Sequence, residues 1–519
     1  MRAFLFGSTY EDRYTFLKSY FKEEKTKDII DKIRKYIEQL KFSETEEIKI
    51  LTDKEKGFDL SNLPEKVRSY VEEMALAYFD DMTYKQKENI ILDVMKLPPH
   101  VSLYKKLGII LNRTGPVLQK IFQLIGEDSK SEKMQLVMNE LKQNVRPFNF
   151  SVAKKIIEKN LERPIEEIFS HFPEKPIAAA TVGQVYFATL INGKNVIVKV
   201  MRPNIRRKAR EEIKTFMNHA HEKITQKFVK QIKVSIMEEL DFRKESHNLD
   251  VGKKYYNYKK IQTIGKIEEL SRTSKVLVME VAPGKSLASY KNKYLYHNIV
   301  LRNKAIAHLT TRWIDQAIFH KDGFFHADLH SGNIFIDFTD TNKFLLTLID
   351  FGAVGYMKEE EQKSIVLMAA GVLLKDEDMI FDSFHYITKI NDNQRESLRS
   401  KVGDILHKKI SYAEKLTEII AESINVKISF PRNYLLFNRG RSFLEKQIIS
   451  NNEIITEVGH VDSKKIDMDR LYLKAFFKYL PKSTMKILLN IHEGRSDTFK
   501  FEKASVYKAL KIIGHKVRK

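Results

Sequence analysis

The sequence predicts an α+β protein in two lobes. Three observations carry this: a Lys/Glu-rich stretch with helical periodicity from residue 8 to about 170, a β-hairpin signal around Asn192-Gly193, and two short apolar strands set in an otherwise helical second half. Strands first and helices later, with a hairpin opening the domain, suggest α+β in two lobes.

Each element follows from local pattern. Ile29, Ile30, Ile33, Tyr36, Ile37 and Leu40 repeat at the spacing of one helix face. Leu97-Pro98-Pro99, Gly115-Pro116 and Arg146-Pro147 divide the helical region. Residues 185–190 and 195–200 are β-branched runs flanking Ile191-Asn192-Gly193-Lys194, and Asn-Gly between such runs marks a hairpin. A charged, helix-like stretch covers about 203–250, and residues 275–280 read as a strand ending before Pro283-Gly284. A long helical pattern runs through Trp313 to Phe319, then come strands at 333–336 and 345–349 and a mainly helical remainder. The ten-residue apolar run from Ile365 to Leu374 is too short for a membrane span and reads as a core helix.

Composition bounds the chemistry. The chain of 519 residues has room for two or three domains. With no cysteine it offers no disulfide, thiolate metal site or Cys nucleophile. Hydrophobic residues at 43% and charged residues at 30% are ordinary for a globular fold. Its 90 Lys and Arg against 68 Asp and Glu give +22, which favours anionic partners. The N-terminus lacks the apolar stretch of a signal peptide, and no uncharged 18-residue run is present, so a cytoplasmic location is expected. No nucleic-acid reader motif accompanies the charge, so nucleic acid is not an expected partner.

Four segments stand in the order that phosphoryl transfer needs. Lys199 lies on the second hairpin strand, where a sheet could aim its ammonium at nucleotide phosphates. His326-Ala327-Asp328-Leu329-His330-Ser331-Gly332-Asn333 offers an Asp to orient or deprotonate a hydroxyl and an Asn to bind Mg²⁺. Leu348-Ile349-Asp350-Phe351-Gly352 adds a carboxylate for Mg²⁺ at a strand end. Alternating His326, Asp328 and His330 could instead hold a transition metal, but Gly332-Asn333 and the later Asp350 favour Mg²⁺ and nucleotide. In Glu238-Glu239-Leu240-Asp241-Phe242-Arg243-Lys244-Glu245, a continuous helix would put Asp241 and Glu245 on one face and Glu239 on the other. One of these carboxylates is expected to neutralise Lys199, against the alternative of a solvated helix with i, i+4 charge pairs.

These residues together resemble the UbiB/AarF family of atypical protein-kinase-like proteins, over roughly residues 100 to 500. The most specific part is Ile177-Ala178-Ala179-Ala180-Thr181-Val182-Gly183-Gln184, which looks like the family's alanine-rich loop, in the place of a kinase glycine-rich loop. The resemblance implies a two-lobed protein-kinase-like fold with a helical N-terminal extension and a mainly helical C-lobe. It divides the chain into an extension at 1–170, an N-lobe at 171–285, a C-lobe at 286–500 and a basic amphipathic tail at 501–519. ATP or ADP would be held by residues 178–184, Lys199 and hinge residues Glu280 and Val281. Lys199 would contact the phosphates and pair with Glu245, Asp328 would be catalytic, and Asn333 and Asp350 would hold Mg²⁺. Lys120, Gln123, Glu239 and Asp241 would regulate the site.

Two departures from the family pattern stand out. Its Lys-x-Gly-Gln gating motif reads Lys120-Ile121-Phe122-Gln123 here, and the phenyl group is expected to push the helix outward or repack it. The tail carries Val506, Ala509, Leu510, Ile513 and Val517 at helical spacing among lysines, open to docking on the protein's own core or on an anionic membrane surface. The function implied is ATP hydrolysis coupled to handling of a prenylated quinone precursor or other lipid. A protein or small-molecule phosphotransferase and a nucleotide-binding scaffold are the alternatives.

Overall fold

The computed structural model describes residues 65–95, 97–98, 101–126, 132–143, 145–289, 296–340, 343–457 and 465–477. The helix expected at 29–40 and the tail at 501–519 lie outside them. The chain divides into two compact units. One runs to Phe242 and takes in Arg272–Val278; the other comprises Arg243–Ser271 and the chain from Met279 on.

The first unit opens with helices α1 (Glu65–Asp80), α2 (Tyr84–Met95), α3 (Leu103–Leu111), α4 (Pro116–Gly126), α5 (Glu132–Gln143) and α6 (Phe150–Leu161). In α1, Val67, Tyr70, Val71, Met74, Ala75 and Phe79 are buried, one face of a 3.6-residue helix. Pro116 starts α4, where a missing N–H does no harm, and the Asn149 side chain caps α6 by accepting from the Ser151 N–H. Strands β1 (Phe169–His171), β2 (Ala178–Ala179), β3 (Gly183–Leu190) and β4 (Asn195–Met201) follow. Then come α7 (Ile205–Asn218) and α8 (Lys223–Glu239). The sheet runs β1-β3-β4-β6, with β2 beside β3 and β6 (Val276–Glu280) entering from later in the chain.

The β3–β4 hairpin forms as expected. Leu190 N–H donates to Lys194 O, and Gly193 takes φ +82°, as a three-residue loop requires. Asn192 Oδ1 accepts from the Lys194 N–H at 3.0 Å. Tyr186, Ala188, Val196, Val198 and Val200 are fully buried on one face of this pair.

The second unit contains α9 (Phe242–Tyr256), β5 (Ile261–Thr263), β7 (Lys285–Ser286), α10 (Tyr296–Ile314) and β8 (Phe324–His326). These are followed by β9 (Ile334–Asp340), β10 (Lys343–Leu348) and β11 (Val354–Tyr356). Its four-stranded sheet runs β5-β10-β9-β7, with β10 parallel to β5 and antiparallel to β9, while β8 and β11 form a separate two-stranded antiparallel sheet. Helices α11 (Glu359–Leu374), α12 (Glu377–Phe384), α13 (Asp392–His407), α14 (Tyr412–Asn425), α15 (Arg432–Glu457) and α16 (Met468–Phe477) complete it. The run from Ile365 to Leu373 is largely buried in α11, the expected core helix. Trp313 is fully buried and stacks on Phe437 with ring centroids 4.6 Å apart.

The helical pattern through Trp313 to Phe319 forms as expected, as an α-helix to Ile314 followed by a π turn over Asp315 to Phe319. One expectation needs correcting. The acidic segment is not one helix: α8 stops at Glu239 and α9 starts at Phe242, so Asp241 and Glu245 do not share a helical face. Among the described residues no helix is long and apolar enough to cross a membrane.

Candidate nucleotide site

The alanine segment folds back as a tight hairpin. Ala178 pairs with Val185 and Ala179 with Gln184, and Ala180 N–H donates to Gly183 O at 2.8 Å. None of the three alanines has positive φ, and Ala178 and Ala179 lie in the short strand β2. Gly183 is needed for a different reason: a Cβ there would lie 2.5 Å from the Val200 carbonyl oxygen. Val185 faces Lys199 in register, so Ala178, Val185 and Lys199 form one row across three strands and share a face of the sheet. The lysine is thereby placed on the same surface as the loop that precedes it.

The extension's motif helix meets this loop. Gln123 Nε2 stands 3.5 Å from Thr181 Oγ1, and Lys120 forms an ion pair with Glu239. Phe122 does not displace the helix from these partners; it is fully buried, so the extra ring is absorbed into the packing of the first unit. Asp241 stands 3.5 Å from Arg206, whose Nε also donates to the Leu240 carbonyl and holds the break between α8 and α9.

In the second unit one histidine joins the two motifs. His326 is fully buried; its Nδ1 accepts the Asp328 N–H at 3.1 Å and its Nε2 donates to the Ile349 carbonyl at 3.1 Å. Burial holds its pKa below the ordinary histidine value, in keeping with a neutral ring that both accepts and donates. Trp313 Nε1 and Tyr256 Oη bond the peptide of the same residue. Both ring nitrogens are therefore engaged, and His330 Nδ1 accepts the Gly332 N–H at 3.0 Å. Among the described residues no group of three or more His, Asp or Glu is placed to hold a metal.

The Mg²⁺ reading fits the donors better. Asn333 Nδ2 donates to the Asp328 carbonyl at 2.9 Å, so its Oδ1 is the atom of this side chain that could meet a cation. Ile349 N–H donates to the Asn333 carbonyl at 3.1 Å, so Asp350 follows directly beside Asn333. Asp350 itself takes φ +58°, uncommon for a residue with a side chain, and its Oδ1 accepts from the Gly352 N–H at 3.3 Å. One amide oxygen and one carboxylate are what a Mg²⁺ ion shared with phosphate oxygens asks of a protein.

Glu245 is 5% exposed on α9, and the same helix is seated on the Asp350 segment. Asn248 Nδ2 donates to the Phe351 carbonyl at 2.9 Å, and a Cβ at Gly252 would lie 2.5 Å from the Phe351 ring. Glu280 N–H donates to Gly265 O at 2.9 Å, and Val281 beside it is exposed. Sequence reasoning missed Arg439 of α15, whose Nη2 lies 3.2 Å from Asp328 Oδ1. The local signal was Arg439-Gly440-Arg441: Gly440 lets α15 approach Trp313, since a Cβ would meet Trp313 Cζ2 at 2.7 Å.

Residues 140–384 match the ABC1 atypical kinase-like domain. That stretch of the chain is similar to the UbiB/ABC1 proteins. A probable protein kinase UbiB from Marinobacter nauticus is 31% identical over 278 residues, covering 51% of this chain and 50% of that protein. The chloroplastic activity of bc1 complex kinase 8 of Arabidopsis thaliana is 30% identical over 285 residues, covering 52% of this chain and 36% of the relative. The chain thus spans half or less of the length of these two curated relatives. A Mycobacterium tuberculosis protein solved with erythromycin aligns with TM-score 0.41 and 18% identity over 60% of this chain and 84% of its own. Residues 140–384 thus carry an α+β atypical kinase-like fold.

Proposed function

We propose that this protein, through its ABC1-like kinase domain, binds ATP or ADP with Mg²⁺ and transfers or hydrolyses the terminal phosphate. The observation that carries the reading is the frame in which His326 bonds both Asp328 and Ile349 while Asn333 bonds Asp328. Asp328 orients the attacking hydroxyl or water and takes its proton. Lys199 supplies a fixed cation to the phosphates from the face it shares with the alanine hairpin. Mg²⁺ at Asn333 and Asp350 would neutralise charge on the phosphate oxygens. The domain divisions at 170, 285 and 500, and regulation through Lys120, Gln123, Glu239 and Asp241, belong to the same proposal.

A prenylated quinone precursor or other lipid, met at an anionic membrane surface, is the substrate setting we propose, supported by the net charge of +22 and by the likeness to the UbiB relatives. Phosphate release by the purified protein with Mg²⁺-ATP, alone and with anionic liposomes and a prenylated phenol, tests it. Stimulation by the two additions supports the reading. Release that is absent under every condition overturns catalysis, and release that ignores both additions overturns the lipid setting.

A further inference from the structure

We infer that Arg202 is a positioning residue that fixes the alanine hairpin to the segment linking it to the helical extension. The inference rests on the nucleotide reading above and adds to it a residue that sets the loop's conformation.

Four observations converge, all within the first unit. Arg202 Nε donates to the Ala180 carbonyl at 2.9 Å and Nη2 to the Arg146 carbonyl at 2.7 Å, so one planar fork spans the loop and the linker. The Arg202 backbone N–H also donates to Val182 O at 2.9 Å. Its guanidinium carbon lies 5.8 Å from the centre of the Phe148 ring. Gln184, 1% exposed, closes the other side of the linker: Phe148 N–H donates to Oε1 at 3.0 Å and Nε2 donates to Phe148 O at 3.3 Å.

The tie continues into the helices. Arg146 Nη2 donates to Asp93 Oδ1 at 2.6 Å, and Arg113 Nε donates to Asp93 Oδ2 at 2.6 Å. Asp93 is 6% exposed, so its two arginines satisfy a carboxylate that would be costly to bury alone. Arg113 stands just ahead of α4, which carries Lys120 and Gln123. The loop that would face phosphates is therefore bonded through Arg202, Arg146 and Asp93 to the start of the helix whose Gln123 approaches Thr181. A lysine at 202 could reach one carbonyl but not both, because it lacks the fork.

The test compares wild type, Arg202→Lys and Arg202→Met by hydrogen exchange without nucleotide and by titration with Mg²⁺-ATP and Mg²⁺-ADP. The expected result is exchange at least tenfold faster at residues 177–183, with 195–200 unchanged, and an ADP-to-ATP affinity ratio shifted several-fold, Arg202→Lys being the milder. Unchanged exchange at 177–183 in both variants overturns the inference. So does equal acceleration through 195–200, which would mark a general loss of the sheet, or an unchanged affinity ratio in a protein that binds both nucleotides. A wild type that binds neither nucleotide overturns the proposed function, and the exchange data alone then decide the tie.

Discussion

The Nη2 atom of Arg439 stands 3.2 Å from Oδ1 of Asp328, so a helix 111 residues further along the chain brings a cation to the proposed catalytic carboxylate. The Arg439 guanidinium also lies 5.4 Å from the centre of the Phe443 ring, which fixes its position from the other side. Such a fixed cation can stabilise charge that develops on a transferring phosphate. Arg439→Met is expected to lower turnover about 10- to 100-fold with nucleotide affinity changed less than threefold. Steady-state phosphate release beside equilibrium titration checks this, and an equal loss in both would place Arg439 in nucleotide binding.

Asp350→Asn should remove Mg²⁺-dependent nucleotide binding. Asparagine tolerates the left-handed φ of +58°, so the change tests the charge of the ligand and not the backbone. Asp328→Asn should leave affinity near wild type and lower turnover, because its proposed task concerns the nucleophile. Binding measured with and without Mg²⁺ separates the two, and equal loss of affinity would undo the division of roles.

Ala179→Gly should alter the affinity for ATP or ADP, since removing Cβ frees a backbone that now sits in extended geometry. Gly183→Ala is expected to act on stability instead, by about 1–3 kcal/mol, as its Cβ would press on Val200 O at 2.5 Å. Thermal melts combined with nucleotide titration distinguish these outcomes, and unchanged affinity for both nucleotides in Ala179→Gly would place the loop away from the ligand.

Glu212 gives a pH dependence of known sign. It lines a cavity of about 1140 Å³, accepts the Val117 N–H at 2.8 Å and the Tyr78 hydroxyl at 3.0 Å, and lies near Lys208. Burial raises its pKa from 4.5 to about 7. The folded state then holds a proton that the unfolded chain has released, so this contribution to stability falls as pH rises from about 4.5 to about 7 and levels off above. Glu212→Gln should flatten that slope, gaining on the order of 1–3 kcal/mol relative to wild type at pH 8 compared with pH 4. Denaturant melts across that range check it, and parallel slopes would refute the assignment.

Much of the fold was legible because its signals are local. The Asn192-Gly193 turn, the buried run from Ile365 and the motif loops each declare themselves within ten residues. The break at Leu240 and Asp241 was misread because charge and apolar spacing continue across it, although Asp241 is an N-cap residue type just before Phe242. Strands β5, β8 and β11 have three residues each, too few to show a period. The contacts of Arg439 and Arg202 were hidden for another reason: their partners lie 111, 22 and 56 residues away, and only folding brings them together.

The exposed tip between β3 and β4 combines with the absence of cysteine to make a spectroscopic handle. Gly193 has nothing within 4 Å of where a Cβ would be, and Lys194 beside it is exposed. A cysteine at Lys194 would be the protein's sole thiol, so maleimide chemistry would attach one dye at one place. A second at exposed Lys389 in the other unit would turn the pair into a ruler for measuring, with and without nucleotide, how far apart the two units stand in solution.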